Sequence, residues 1–293
     1  MKVLHSFWSK PGRASEGNRI AGGWANPVYY YMSWALSCLQ FRTYYDHVEL
    51  VTDTFGKKIL VDLIGLPYTQ VSTALDELED FPTDLWTMGK FRAYALQKEP
   101  FIHADGDVFL FRPLANDLLE SPLVAQHMEV DYPYYKSILQ QVRQNFTFIP
   151  AYITKNIASY GLSANAYNAG IIGGQDLDFM QHYVQEATTF LESNRQHWSS
   201  VQIRELNILY EQYLFYCLTQ HENRPVRCLL DQVSYRHEGL TDFAGIPERS
   251  HYVHPVASFK SNLKNCEQLA YRLRQNHPAY YYRILHLATE KAI

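Results

Sequence analysis

The sequence predicts an α/β fold, a mostly parallel sheet with helices on both faces, and two observations predict it. Over residues 2–111, strand-like apolar runs alternate with stretches of helical length and periodicity. Across all 293 residues, 47% are hydrophobic and 19% charged, a composition that buries a large core in one sizeable domain or two small ones. A third observation narrows the class. No run approaches the roughly 18 consecutive apolar residues of a membrane-spanning helix.

"KVLHSFW" (2–8) opens as a strand, and "WANPVYYYMSWALSCLQFRTYY" follows with helical length. "HVELVTD" reads as a second strand ending in a polar turn, "DTFGKK". "KILVDLIGLP" and "YTQVSTAL" predict a short helix and a further strand, "LWTMGKFRAYALQ" a helix, and "PFIHADGDVFLF" a strand. Residues 115–165 are polar and aromatic with weak periodicity. Then come a strand with glycines at its end, "YNAGIIGG", two helices, "LDFMQHYVQEATTFLESN" and "ELNILYEQYLFYCLTQHE", and two short strands, "VRCLL" and "YVHPV". With no repeat or linker, residues 1–264 read as one domain. Residues 265–293 read as a C-terminal helical segment docked on it, broken at Pro278, with Leu269, Leu273, Ile284 and Leu287 inward.

Bulk charge excludes some functions. A net charge of −4 gives no field to attract nucleic acid. From Lys260 onward six basic residues face two acidic ones, a net of +4, so the remainder carries −8. Two short helices with so few basic residues make a poor membrane anchor. Cys38, Cys217, Cys228 and Cys266 form no CxxC pair and read as reduced, mostly buried thiols. The apolar part of "MKVLHSFWSKPG" is short for a signal peptide, so the expected compartment is the cytoplasm. Aromatic residues make up 15%, with 23 tyrosines in clusters such as "YPYYK", which read as core-edge packing or as aromatic-lined clefts.

One stretch departs from this pattern. "EPFIHADGDVFLFRPL" sets Asp105 and Asp107 one glycine apart inside what otherwise reads as a buried strand. In an open parallel sheet, ligands bind beyond the carboxyl ends of the strands, and a strand that breaks into Asp-Gly-Asp delivers two carboxylates there. Two carboxylates so close repel unless a cation lies between them. A divalent metal with oxygen ligands satisfies both and leaves sites open for phosphate oxygens. The plain alternative is a turn with solvated acids. A second alternative is the Asp-x-Asp-x-Val nucleophile motif of haloacid-dehalogenase-type phosphatases. That motif usually lies on the first strand and needs a later acidic pair; the later close pair, Asp176 and Asp178, sits where helix capping explains it.

Four features together resemble the GT-A-fold glycosyltransferases, in particular the retaining families 8 and 32. These are "HADGDVFLFRPL", "YNAGIIGG", "YEQYLFYCL" and "HPVASFK", in the family order and spanning 105–260. His254 and Lys260 keep the six-residue spacing of the His-x-x-Gly-x-x-Lys motif, with Ala257 in place of its glycine and no Pro-Trp after the lysine. The resemblance points to a bacterial branch of the fold.

The resemblance implies residue roles. Asp107 and His254 would ligate a metal, and Asp105 would bind metal, ribose or donor sugar. A mixed carboxylate and imidazole set suits Mn²⁺ better than Mg²⁺, which remains the alternative. Lys260 would contact the diphosphate. His5, Phe7 and Asp53 would line the nucleoside site, with turn capping as the other reading of Asp53. Lys90 and Arg92 would reach donor phosphates or sugar. Asn168, Ala169 and Gly170 would lie against the sugar, and Glu211 and Gln212 nearest the anomeric carbon, where a carboxylate stabilises an oxocarbenium-like state. The implied function is metal-dependent transfer of a sugar from a nucleoside diphosphate sugar, UDP-sugar preferred, to a saccharide, peptide or small-molecule acceptor with retention. The alternatives are a GT-A-like nucleotide-sugar-binding protein without turnover and, further off, the phosphatase.

Overall fold

The computed structural model describes residues 1–14, 21–162, 164–231, 233, 237, 240–241 and 243–293. Strand β1 (Lys2–Phe7) leads through the short helix α1 (Lys10–Ala14) to α2 (Pro27–Tyr44). Asn26 starts α2 by accepting a hydrogen bond from the Tyr29 N–H, and Pro27 occupies its first turn, where a missing N–H costs nothing. Next come β2 (Val48–Thr52), α3 (Thr54–Lys57) running into a π-helical turn at Lys58–Leu63, β3 (Gln70–Ser72), α4 (Met88–Ala95), β4 (Phe101–Ala104) and β5 (Phe109–Leu110). The second half contains α5 (Asn116–Leu119), β6 (Leu123–Ala125), β7 (Met128–Val130), α6 (Pro133–Asn145), α7 (Ala151–Tyr160), β8 (Asn165–Tyr167), β9 (Ile171–Gly174) and α8 (Leu177–Glu192). It closes with α9 (Ile203–Ile208), a second π-helical turn at Leu209–Tyr213, α10 (Leu214–His221), β10 (Val226–Cys228), β11 (Tyr252–Val253), α11 (Leu263–Asn276) and α12 (Pro278–Thr289).

The α/β class is as the sequence predicts. A seven-stranded sheet has the order β10-β6-β9-β4-β1-β2-β3. β1 with β2, β2 with β3 and β10 with β6 pair in parallel, while β6 and β9 pair antiparallel. Two small antiparallel ladders, β5 with β11 and β7 with β8, lie outside it.

Four local expectations are corrected. "DTFGKK" is helical rather than a turn, because the Asp53 carboxylate caps the chain by accepting the Gly56 N–H. The run "PFIHADGDVFLF" is two strands in different sheets, separated at Asp105–Val108. "YNAGIIGG" is likewise two strands, with Asn168–Gly170 as the break. Residues 115–165 hold two well-formed helices, α6 and α7. In α6, Tyr135, Ile138, Leu139 and Val142 are buried at i, i+3, i+4 and i+7, one face of a helix.

The chain divides into two compact units. Unit 1 comprises Met1–Thr83, His103–Leu114 and His237–Ile293. Its core gathers Phe7, Trp34, Leu36, Leu50, Leu60, Phe109 and Val253. The helices α11 and α12 belong to this unit and bury Leu269, Leu273 and Ile284, with Leu287 partly buried beside them. Unit 2 comprises Asp84–Ile102 and Ala115–Arg236. Its core is aromatic: Phe91 packs against Tyr183 and Tyr210, and Tyr183 against Phe215, with ring centroids 5.0–5.3 Å apart. The four cysteines are free thiols, and Cys228 alone among them is not fully buried. Among the described residues no helix is long and apolar enough to cross a membrane.

Candidate functional site

The strand order β3-β2-β1-β4 changes direction between β1 and β4, and the crevice beyond the carboxyl ends of strands at such a switch is where open α/β sheets bind ligands. Ser6 and His103, near the carboxyl ends of β1 and β4, meet with Oγ and Nε2 2.9 Å apart. Just beyond, Asp105–Val108 form a turn in which the Val108 N–H donates to the Asp105 carbonyl at 3.0 Å. Helix α2 fixes this turn. Ser33 Oγ donates to the Gly106 carbonyl at 2.8 Å, and Ser37 Oγ to the Asp105 carbonyl at 3.4 Å. The Trp34 indole occupies the space any side chain at residue 106 would need; a Cβ there would lie 2.4–2.5 Å from the ring. Glycine is required at this position for room.

A ladder brings a third candidate ligand. β5 pairs with β11 in the register Phe109 to Val253 and Leu110 to Tyr252, and the next residue along β11, His254, therefore meets the Asp-Gly-Asp turn. His254 Nε2 lies 3.4 Å from Asp107 Oδ1. One nitrogen of His254 and one oxygen each of Asp105 and Asp107 lie within 4.8 Å of one another. Asp107 and His254 are buried, whereas the Asp105 side chain is 22% exposed and has His103 Nδ1 at 3.9 Å. The Lys260 ammonium forms an ion pair with Asp107 Oδ2, and its Nζ is 3.4 Å from the Gly22 carbonyl. Burial pushes the Asp107 carboxyl upward, but Lys260 and then His254 outweigh it and hold the group well below the usual carboxylate range. Asp107 is thus an anion with a cation already on one oxygen.

The donor set fits a divalent cation. Two carboxylates and one imidazole converge, and an ammonium stands where positive charge is needed. Mixed oxygen and nitrogen ligands favour Mn²⁺ over Mg²⁺. Ala257 adds a detail. Its φ is +47°, in the left-handed region that favours glycine.

The other unit 1 candidates have structural jobs. His5 is fully buried, its Nδ1 3.0 Å from the Tyr68 hydroxyl, and burial lowers its pKa from 6.5 to about 3. Phe7 is buried against Trp34 with ring centroids 4.8 Å apart, and so backs the indole that shapes the Asp-Gly-Asp turn. Asp53 spends one oxygen on the Gly56 N–H at 2.6 Å and the other on the Ser9 N–H and hydroxyl at 2.9 and 2.7 Å. The capping reading of Asp53 accounts for its whole carboxylate.

Unit 2 holds a second polar cluster. Lys90, on α4, pairs with Glu211 at 2.8 Å, both side chains largely buried. Arg92 is half-buried on the same helix. Glu211 and Gln212 lie on the π-helical turn at Leu209–Tyr213, a geometry frequent at functional sites. Gln212 turns inward: its Oε1 accepts the Ala169 N–H at 3.0 Å and its Nε2 donates to the Tyr135 hydroxyl at 3.0 Å. Asn168 Oδ1 accepts the Gly170 N–H at 3.0 Å, and its Nδ2 donates to Glu129 Oε1 at 2.8 Å. Glu129 Oε2 accepts the hydroxyls of Tyr134 and Tyr135, both at 2.6 Å. Burial, reinforced by the Glu129 charge, raises both phenols, which keeps them protonated as donors. Asn168, Ala169, Gly170 and Gln212 thus meet in one network, with Glu129 at its centre.

Sequence reasoning missed Glu129, Tyr134, Tyr135, His103 and Trp34. For Glu129 the signal was present: a charge between Met128 and Val130 in a strand-like run, the same irregularity that marks Asp105. The phosphatase alternative loses its acidic pair, because Asp176 caps α8 through the Phe179 N–H at 3.0 Å and pairs with Arg224 at 3.2 Å.

The family of unknown function DUF6734 matches residues 1–287, and the chain belongs to that family. No curated protein matches it.

Proposed function

We propose that the protein is a metal-dependent glycosyltransferase of the GT-A type, taking a sugar from a nucleoside diphosphate sugar, UDP-sugar first, and transferring it with retention. The observation that carries the reading is the convergence of Asp105, Asp107 and His254 beyond the end of β4, with Lys260 on Asp107. Asp105, Asp107 and His254 would hold Mn²⁺. When bound, it supplies positive charge against the diphosphate leaving group, the main electrostatic task of the reaction. Lys260 brings a second positive charge, on a flexible stem suited to a phosphate oxygen. Asp105, the more exposed acid, is the one available to donor hydroxyls. Within unit 2, the hydrogen bonds of Gln212 and Glu129 hold the Asn168–Gly170 turn in one shape.

The test is a screen of UDP- and GDP-sugars by thermal shift with Mn²⁺, followed by Mn²⁺-dependent release of UDP from each stabilising donor. The reading expects stabilisation by a nucleotide sugar only with metal, and slow hydrolysis of that donor. Stabilisation without any release, acceptors included, identifies a binding protein. No response to any nucleotide sugar removes the reading.

A further inference from the structure

We propose that Lys260 is an internal competitor of the divalent cation, so that this protein takes up metal together with an anionic ligand rather than before it. The inference rests on the metal reading of the Asp105–Asp107–His254 cluster. Both Asp107 oxygens are engaged: Oδ1 faces His254 Nε2 at 3.4 Å, and Oδ2 carries the Lys260 ammonium. A cation entering the cluster must share Asp107 with the ammonium or displace it.

The lysine is held for this position. It sits at the end of a tight turn, Ala257–Ser261, whose first residue is in the left-handed region, φ +47°. Its stem runs beside Gly23, where an added Cβ would be 3.4 Å from the lysine Cδ, and its Nζ also lies 3.4 Å from the Gly22 carbonyl. The side chain is 22% exposed, so the ammonium can leave without crossing the core. Charge decides the order of events. With both acids ionised and Lys260 in place the cluster carries a net −1, and a divalent ion would make it +1 with two cations on one carboxylate. A diphosphate reverses this, because it offers the ammonium a second anionic partner and gives the metal oxygen ligands. Metal and diphosphate therefore bind with positive coupling, and the coupling is reciprocal.

The experiment is titration calorimetry with Mn²⁺ alone, and with Mn²⁺ in saturating UDP, on the full chain and on Lys260→Met and Lys260→Gln. Thermal melts confirm folding. With Mn²⁺ alone, the two variants are expected to bind about tenfold more tightly than the parent, a sign opposite to that of a damaged site. With UDP present, the parent gains the larger factor. If the parent and both folded variants bind Mn²⁺ alone equally, or the variants bind more weakly, the competition is overturned while the metal site stands. If none binds Mn²⁺ under either condition, the metal reading itself falls. Should the variants not fold, the parent decides: Mn²⁺ affinity unchanged by UDP overturns the proposal, and a rise of tenfold or more supports it.

Discussion

The two polar clusters are built from similar residues and differ in where their atoms point. In unit 1, Asp105, Asp107 and His254 converge on a common point, and Lys260 supplies the nearest positive charge. In unit 2, Glu129, Asn168, Gln212 and the hydroxyls of Tyr134 and Tyr135 converge on one another, and each bond serves a second member or the Asn168–Gly170 backbone. Charges balanced by a side chain that can leave are poised for a ligand. Hydrogen bonds spent on neighbours are spent on shape. The two clusters should therefore respond oppositely to mutation.

The largest effect is expected at Asp107. Asp107→Ala should lower metal-dependent turnover of the donor by about a thousandfold, since a divalent site without its central ligand loses its Lewis acid. The fold should survive, because the residue lies in a turn beyond a strand. Near-normal turnover with Mn²⁺ would break the comparison at its functional end. At its structural end, Glu129→Ala strands three donors, two of them buried, and should destabilise the protein by about 3–5 kcal/mol in urea unfolding. Asp105→Asn, at the more exposed acid of the unit 1 cluster, should change stability by no more than about 1 kcal/mol. Equal losses for the two would show that the clusters are not different in kind.

The contrast with unit 2 sharpens at His5, a fully buried residue of unit 1. Its folded pKa, about 3, lies below the ordinary 6.5, so on acidification the unfolded chain takes up the proton first. The associated stability is full above about pH 6.5 and is lost as pH falls toward 3, with a slope of at most about 1.4 kcal/mol per pH unit. Unfolding measured from pH 7 to 4 should show this slope in the parent and a flatter one in His5→Gln. A parallel pH profile in the two proteins would mean that His5 is not the group responsible. A further effect is expected from Gly106→Ala, whose methyl meets the buried Trp34 ring. Overpacking of this kind costs about 1–3 kcal/mol, and here it should also weaken Mn²⁺ binding by shifting the Asp-Gly-Asp turn. Unchanged melting and unchanged metal affinity would show that the turn does not depend on the indole.

These residues also show what the sequence could and could not disclose. The alternation from β1 to β4 is legible because each element buries an apolar face with its own period, and the Asp-Gly-Asp break is legible as charge inside an apolar run. His254 was reached through its spacing to Lys260, but its meeting with Asp107 depends on the β5–β11 ladder, a pairing more than a hundred residues apart in sequence that no local pattern encodes. Helix α6 was overlooked because tyrosines and glutamines blur the edge between its faces, although Pro133 and the Tyr135–Ile138–Leu139–Val142 spacing were available. Asp53, His5 and Phe7 look like ligand contacts in sequence because strand ends supply both ligands and caps. Their tertiary partners, Ser9, Tyr68 and Trp34, are set by no local pattern.

The central claim is that His254 joins Asp105 and Asp107 around one divalent ion, and pulsed electron paramagnetic resonance of bound Mn²⁺ tests it most directly. The Mn²⁺ signal of the full protein in the presence of UDP should carry the modulation of one directly bound imidazole nitrogen. In His254→Ala, the carboxylates and UDP should still retain Mn²⁺, but that modulation should be gone. A nitrogen modulation that persists in His254→Ala, or that is absent from the parent while Mn²⁺ is bound, would contradict the account.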